Sequence, residues 1–182
     1  MAIDRDPSRL ETTLTLRDGS RARARSIRPA DANLDREFFA GLSTESRYLR
    51  FMQHLPELTP QLVQQFTQID DSREMALVAL DDASGDEMII GIARYVAETG
   101  EDGESGEFAI VIADAWQDRG LGRALMELLI DGARQRGLRK LFGSILAVNT
   151  HMRALAAALG FAIEVDPDDA RHVVATLDLA PN

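Results

Sequence analysis

The sequence predicts an α+β domain in which helices flank a central mixed, mostly antiparallel β-sheet of about seven strands. Asp18-Gly19 separates two short segments and predicts an opening hairpin, because this pair favours the tight turn between antiparallel strands. Amphipathic stretches between residues 31 and 69 predict helices, and runs rich in Ile and Val after Asp71 predict strands. From Gly120 apolar residues recur at helical spacing, so helices and strands alternate in the second half.

The first half of the chain predicts two strands followed by three helices. The strands are Thr12–Leu16 and Arg21–Ile27. Each helix follows a candidate N-cap residue, namely Asp31, Ser43 or Thr59, and proline follows the last of these. Arg21, Arg23 and Arg25 alternate along the second strand, so they share a face that we expect to be solvated; a partner surface is the alternative.

The sequence of the second half predicts a series of strands interrupted by two helices. The strands are Met75–Leu80, Met88–Val96, Glu107–Ala113, Leu141–Leu146, Phe161–Val165 and His172–Leu179. One helix opens at Gly120 and closes at Gly137, because glycine readily adopts the left-handed conformation that ends helices. The other helix spans Asn149–Leu159 and stops at Gly160.

Length and composition exclude several classes of protein. The 182 residues fit a single domain spanning residues 1–182, in which residues 1–10 form a loosely ordered extension. The absence of cysteine excludes disulfides, thiolate metal sites and an acyl-cysteine intermediate, and the histidines lack metal-ligand spacing. Apolar stretches are too short to cross a membrane, and the N-terminus is too charged for a signal peptide, so we expect a cytoplasmic protein without a membrane partner.

The charge balance bears on possible partners. A formal net charge of -10 argues against nucleic-acid binding, because nothing would offset repulsion from the phosphates. An acidic surface is compatible with attraction of cationic acceptors such as lysine side chains or polyamines. The alternative is that the acidity serves solubility alone.

The stretch from Ile110 to Leu125 carries the most informative pattern. An apolar strand runs into a tight loop that contains Gly120 and Gly122, and the loop opens directly into an amphipathic helix. Unpaired N–H groups and the positive end of the helix dipole favour an anion there, such as a pyrophosphate. Arg119 and Arg123 add positive charge. Two glycines before a helix can also be a plain turn, and the spacing does not fit a Rossmann dinucleotide site.

Gln117-x-x-Gly120-x-Gly122 resembles the acyl-CoA motif, Q/R-x-x-G-x-G/A, of the GNAT acyltransferase superfamily. A second family landmark is similar: Asn149 follows a strand, and Gly160-Phe161 ends the next helix. Within the superfamily, the chain resembles the acetyltransferase domain of bacterial Pat-type protein lysine acetyltransferases. That likeness lies in Ser46–Phe51, Thr67–Asp70 and Arg73–Val78, and the whole resemblance covers roughly residues 10 to 165.

The resemblance implies the GNAT fold, with acetyl-CoA as cosubstrate, and candidate residues that bind it. Relatives pair the pantetheine arm with the backbone of the strand before the motif, which points to Ile110 and Ile112. The pyrophosphate would lie on the loop formed by Gln117, Asp118, Arg119, Gly120, Leu121, Gly122 and Arg123. Asn149 would bond the cosubstrate or the reacting thioester; it also stands where a helix N-cap is needed, and the two roles can coexist.

A general base is needed because a free lysine amine, with a pKa near 10.4, must lose a proton at a cost of about 4 kcal/mol near neutral pH. Pat-type enzymes place a catalytic glutamate at the position of Glu107. We expect Phe108 and Ile110 to desolvate Glu107 and so make it a better base. The alternative is a solvated carboxylate, because Glu98, Glu101, Asp102, Glu104 and Glu107 surround a glycine-rich hairpin tip.

The general acid is not identified by the resemblance. Many relatives place a tyrosine seven residues after the motif asparagine, but this chain has Ala156 there. Tyr48 and Tyr95 are the remaining candidates, and each could equally be a core residue. The thiolate could also leave as the anion, since a thiol pKa is near 8.5.

The sequence therefore predicts an acetyl-CoA-dependent N-acetyltransferase that transfers the acetyl group directly to an amine in a ternary complex. The favoured acceptor is a lysine on a partner protein, such as an acyl-CoA synthetase. Acetylation of a small amine, such as a polyamine, an amino acid or an aminoglycoside, is the alternative within enzymes. A catalytically silent acyl-CoA sensor is the alternative outside them.

Overall fold

The computed structural model describes residues 10–81, 83, 85–100 and 103–179. Residues 1–9 of the expected N-terminal extension, together with Glu101 and Asp102, lie outside this description. None of the helices in the described ranges combines the length and the apolarity that crossing a bilayer requires.

Within these described residues, eight strands and five α-helices form the fold. The strands are β1 (Glu11–Thr15), β2 (Arg21–Ser26), β3 (Glu74–Asp81), β4 (Ile89–Gly100), β5 (Gly103–Ile112), β6 (Lys140–Leu146), β7 (Ala162–Val165) and β8 (His172–Asp178). The helices are α1 (Ala32–Gly41), α2 (Thr44–Phe51), α3 (Pro60–Thr67), α4 (Leu121–Gln135) and α5 (Thr150–Ala158).

The sheet confirms the predicted class, with eight strands rather than about seven in one open sheet. The spatial order is β1-β2-β3-β4-β5-β6-β8-β7, and every neighbouring pair is antiparallel except β5 with β6. The crossover between these two parallel strands is α4, as parallel neighbours require a long connection.

The helix caps follow the sequence with one exception. Ser43 and Thr59 accept hydrogen bonds from the N–H groups three residues later and so cap α2 and α3. Asp31 lies at the start of α1 but does not cap it. Its carboxylate instead bonds the Arg25 guanidinium at 2.7 and 2.8 Å and accepts the Arg28 N–H. The expectation that Arg25 lies on a solvated strand face is therefore wrong, since this arginine is 2% exposed.

Two hydrophobic cores cover opposite faces of the sheet. The first lies under α4 and α5 and contains Leu121, Leu125 and Leu129 of the predicted stripe, all fully buried. The second lies under α1, α2 and α3. Because successive residues of β3 contribute alternately to the two cores, this strand is apolar from Met75 to Leu80.

β5 and β6 pair at three positions and then separate. Their register runs from Ser105↔Lys140 to Glu107↔Phe142 and then ends. At the next position the Phe108 ring packs over Gly143, where an added Cβ would lie 2.7 Å from the ring. The same ring meets Phe161 edge to face, with centroids 5.1 Å apart. Beyond this aromatic contact the sheet is open between β5 and β6.

The second core contains charged side chains around a cavity of about 30 Å³, large enough for one or two waters. Arg94 of β4 stands between Ala76 and Ala109 of the neighbouring strands, whose small side chains leave room for it. Its guanidinium bonds Glu74 at 2.9 Å and lies over the Phe66 ring.

Asp35 of α1 also lines this cavity and is 3% exposed. Its Oδ2 has no hydrogen-bond partner among the described residues. Burial raises the pKa of Asp35 to about 6, although the charge of Arg94 acts in the opposite direction. A carboxylate in this position destabilises the fold when it is ionised, because its Oδ2 has no hydrogen bond to replace the lost hydration.

This environment predicts a pH-dependent effect of Asp35→Asn. The folded-state pKa of Asp35 lies above the ordinary aspartate value of 3.8. The stability that the neutral side chain contributes is therefore fully present below pH 3.8 and is lost as the pH rises through about 6. Relative to the unchanged chain, Asp35→Asn should therefore gain about 2 kcal/mol in unfolding free energy between about pH 4.5 and 7.5. Urea unfolding at a series of pH values measures this difference.

Glu37→Gln is the matched control, because Glu37 lies on the exposed side of the same helix. Its stability relative to the unchanged chain should vary by less than about 0.5 kcal/mol over the same range. A pH-independent difference for Asp35→Asn would contradict the raised pKa of this buried carboxyl group.

Candidate active site

The open edge of β5 presents backbone groups between the two parted strands. The Glu104 carbonyl accepts the Arg139 N–H on the β6 side, whereas the Ala113 N–H donates to Ile90 on the β4 side. Because the backbone groups of successive residues point to alternate edges of a strand, those of Ile110 and Ile112 face the gap. The role that the resemblance implies for them, pairing with the pantetheine arm, stays a prediction.

A strained loop leads from this edge into α4. Asp118 and Gly120 both have positive φ, of 60° and 89°, and the second stands at the helix N-cap. No side chain of the described residues caps the helix, so the N–H groups of Leu121, Gly122 and Arg123 are available to an anion. The side chain of Leu121 is fully buried and anchors this first turn in the core.

Gly122 faces the gap beside the open strand edge. A Cβ at this position would lie 3.6 Å from the Ile112 side chain and 3.9 Å from that of Ile110. The loop and the strand edge therefore lie side by side at the gap between β5 and β6, which we call the groove, and the positive end of α4 lies beside it.

The charges around the loop differ from the expected arrangement. Arg123 pairs with Glu127 one turn along the same helix at 2.8 Å. Arg119 lies 3.4 Å from Asp18 and stacks over Trp116. Sequence reasoning missed Arg17, whose side chain packs against Gly120 and whose N–H donates to the Arg119 carbonyl at 3.0 Å. No local signal identifies it, because the β1–β2 turn reaches the loop only through the tertiary fold.

The side chain of Gln117 bonds both β5 and α2. Its Nε2 donates to the Ile112 carbonyl at 3.2 Å and to the Ser46 hydroxyl at 3.3 Å. The first residue of the motif is thus connected both to the open strand edge and to α2.

Asn149 lies at the start of α5, directly after the turn that follows β6. Its Oδ1 accepts the Met152 N–H at 3.0 Å, so the N-cap role is present. The amide nitrogen takes no part in this cap and can serve a ligand. Further along the helix, Ala156 is fully buried. A larger acidic side chain at this position would fit only if the surrounding core repacked.

Glu107 occupies the last paired position before β5 and β6 separate. Its partner across the other edge of β5 is Val96 of β4, so it lies on the face covered by α1, α2 and α3. Phe108 belongs to the core on the opposite face, and Ile110 packs against that same core. The expectation that these neighbours desolvate Glu107 is therefore wrong, and its side chain is exposed.

Two arginines flank Glu107, and sequence reasoning assigned neither to the site. Arg94 is its diagonal neighbour on β4, within reach of a long side chain. Arg50 of α2 lines the cavity with Arg94 and lies over the Phe51 ring. Burial lowers the pKa of Arg50 to about 10 and Arg94 adds to this, whereas Glu107 and Asp35 oppose it. Arg94 interrupts the apolar run of β4, which was an available signal of a buried charge.

The two tyrosines differ in solvent exposure. Tyr95 is fully buried in the core under α4, on the far side of the sheet from Glu107. Tyr48 of α2 is 47% exposed. In the described ranges, no group of three or more His, Cys, Asp or Glu side chains is placed to hold a metal ion.

The comparisons with known proteins agree with this geometry. Residues 38–161 match the model of the Acetyltransferase (GNAT) family. The chain is 39% identical over 165 residues to "Acetyltransferase PA5475" of Pseudomonas aeruginosa, which covers 91% of this chain and 88% of that protein. It is 29% identical over 136 residues to "Acetyltransferase Pat" of Mycolicibacterium smegmatis, covering 75% of this chain but only 40% of that longer protein.

A solved structure shows the same architecture. The GNAT domain of S. lividans PAT superposes with a TM-score of 0.83 at 30% sequence identity, covering 92% of this chain and 96% of that domain. The family model matches more than half of the sequence, and its residues include the strand edge, the loop, Glu107 and Asn149. The chain belongs to the GNAT family of acetyltransferases.

Proposed function

We propose that this acetyltransferase moves the acetyl group of acetyl-CoA directly to an amine, with a lysine of a partner protein as the favoured acceptor. The observation that carries the proposal is the groove between β5 and β6, which joins an open strand edge to an uncapped helix start. A long ligand with amide groups in its middle and a pyrophosphate at one end fits both features.

Different residues of the groove bind different parts of acetyl-CoA. The backbone of Ile110 and Ile112 pairs with the amides of the pantetheine arm. The N–H groups of Leu121, Gly122 and Arg123 bind the pyrophosphate, helped by the turn that Asp118 and Gly120 form. Gln117, Arg119 and Arg17 border the loop, and the Asn149 amide nitrogen can donate to the thioester end.

The acyl transfer requires a neutral amine beside the thioester. Glu107 takes a proton from the acceptor ammonium, directly or through one water. The amine nitrogen then attacks the acetyl carbonyl, the C–N bond forms, and the C–S bond breaks with loss of the thiolate. The nitrogen loses its second proton to water or to the departing thiolate, which leaves the neutral amide. Because Ala156 replaces the usual acid, the thiolate leaves as the anion or takes a proton from water or from Tyr48.

The acceptor proposal rests on the likeness to Pat-type domains and on charge. The net charge of -10 favours approach of a basic protein surface. Glu107 lies exposed at the end of the groove, where a side chain from a partner can reach it. An acyl-CoA synthetase is a suitable partner of this kind. The expected compartment is the cytoplasm, where acetyl-CoA and such enzymes meet.

Substitution of Gly120 tests the cosubstrate site. Gly120→Glu and Gly120→Gln introduce the same size and the same strain at φ 89°, but only the first adds a negative charge. We expect the Kd for acetyl-CoA to rise at least about tenfold more in the Glu variant, because its carboxylate repels the pyrophosphate. Calorimetry on folded proteins measures both affinities. Equal affinities would place the pyrophosphate elsewhere.

The acceptor is tested with labelled acetyl-CoA offered to a whole-cell bacterial protein extract and, separately, to polyamines, amino acids and aminoglycosides. Protein lysines should take up the label, and mass spectrometry should map them. Turnover of a small amine at a kcat/KM far above that of the best protein acceptor would favour the small-amine alternative. Transfer to none of these acceptors would favour an acyl-CoA sensor.

Glu107→Gln tests the general base, because it keeps the size of the side chain and removes the basic carboxylate. Acetyl transfer should fall by about 10²–10⁴-fold while acetyl-CoA binding stays nearly unchanged. The loss should shrink as the pH rises, because more of the acceptor amine is already neutral. The measurement is kcat/KM from about pH 6.5 to 9.5 with binding measured in parallel.

Glu104→Gln is the matched control, since Glu104 is an exposed carboxylate three residues earlier on the opposite face of β5. Its activity should match that of the unchanged chain. Glu107→Gln with the same activity as this control at every pH would remove Glu107 from the mechanism.

A further inference from the structure

Hydrogen bonds to one carboxylate connect the first turn of α2 to the segment that follows β5. Asp114 accepts the Ser43 N–H at 3.0 Å, the Ser43 hydroxyl at 2.7 Å and the Ser46 hydroxyl at 2.8 Å. Partial burial alone would raise the pKa of Asp114, but the hydrogen bonds from Ser43 and Ser46 outweigh it and lower the pKa. The carboxylate is therefore ionised at neutral pH and bonds the helix start firmly.

Gln117 extends this arrangement to the groove. Its Nε2 donates one proton to the Ser46 hydroxyl and the other to the Ile112 carbonyl. The Ser46 hydroxyl in turn donates to Asp114. A continuous chain of hydrogen bonds thus links the open edge of β5 to α2, and both bonds of Gln117 are long, at 3.3 and 3.2 Å.

The same face of α2 reaches the acceptor side of the site one turn later. Arg50 follows Ser46 by four residues, so the two side chains lie one above the other on the helix. Arg50 lines the cavity with Asp35 and Arg94, and its charge acts on Glu107. A small displacement of α2 would therefore move a cation relative to the proposed base.

We propose that Gln117, Ser46 and Asp114 couple occupation of the β5 edge to the position of α2, so that cosubstrate binding orders the acceptor side of the site. The inference rests on the proposed function, because it takes the pantetheine arm as the ligand of this edge. Ser46 and Asp114 are positioning residues and touch no reacting atom.

The coupling follows from competition at one carbonyl. An amide N–H of the pantetheine arm that bonds the Ile112 carbonyl replaces the weak bond from Gln117. The Gln117 amide then donates to Ser46 alone and shortens that bond, which tightens the first turn of α2. By linkage, whatever orders α2 must strengthen cosubstrate binding by the same factor.

Hydrogen exchange with coenzyme A as the probe tests this without any acceptor. Coenzyme A should slow amide exchange at the start of α4 and, at least about threefold, within Thr44–Phe51. In Gln117→Met the Asp114 contacts remain, so α2 should exchange normally in the free protein but lose its response to coenzyme A. Ser46→Ala should lose the same response. Ser72→Ala, which removes a similar serine–aspartate bond in a distant turn, should respond like the unchanged chain.

The outcomes separate the two proposals. Slower exchange at α4 with no change in α2 overturns the coupling and leaves the proposed function standing. An α2 response that persists in Gln117→Met also overturns it, even if Ser46→Ala loosens the helix by itself. No slowing at either helix contradicts the proposed binding site, and the coupling is rejected with it.

Discussion

β5 and β6 pair at three positions and then diverge, and the candidate site depends on that divergence. A strand edge inside a sheet is normally paired, so an open one carries groups that require a partner. Phe108 packs over Gly143 where the strands separate, and its contact with Phe161 supports the ring from the other side. A larger residue at Gly143 would collide with this ring.

The divergence also explains why the functional groups come from distant parts of the sequence. β5 contributes its backbone edge, and the crossover helix α4 begins at the mouth of the gap because it must connect two parallel neighbours. Its free N–H groups therefore lie at the end of the groove. On the opposite face, α1, α2 and α3 cover the strand on which Glu107 lies. One break in the sheet thus places an uncapped helix start and a carboxylate on either side of the same opening.

Charge on that second face is balanced within a small volume. Arg94 and Arg50 line the same cavity as Asp35, while Glu74 bonds Arg94 and Glu107 lies alongside. Taking isolated charges out of water is expensive, so such groups persist when each has an opposite charge near it. The arrangement holds cations around the proposed base in a protein whose net charge is -10. The net charge of the chain and the charges beside Glu107 are therefore opposite in sign.

The sequence alone determined the features that depend on neighbouring residues. The hairpin at Asp18-Gly19, the caps at Ser43, Thr59 and Asn149, the turn at Gly120 and the motif loop all follow from local backbone chemistry and from a spacing of a few residues. The family and the fold class followed from the same short patterns.

Only the tertiary structure determined which charged side chains lie close together. The strand pairing brings Arg94 beside Glu107, and the packing of α1 and α2 adds Asp35 and Arg50 to the same cavity. For the same reason Arg25, which the sequence predicted to lie on a solvated face, is a buried partner of Asp31. Glu107 lost its expected apolar surroundings because strand alternation sends Phe108 to the opposite core. Electrostatic environment depends on contacts between residues far apart in the chain, and local patterns do not encode those contacts.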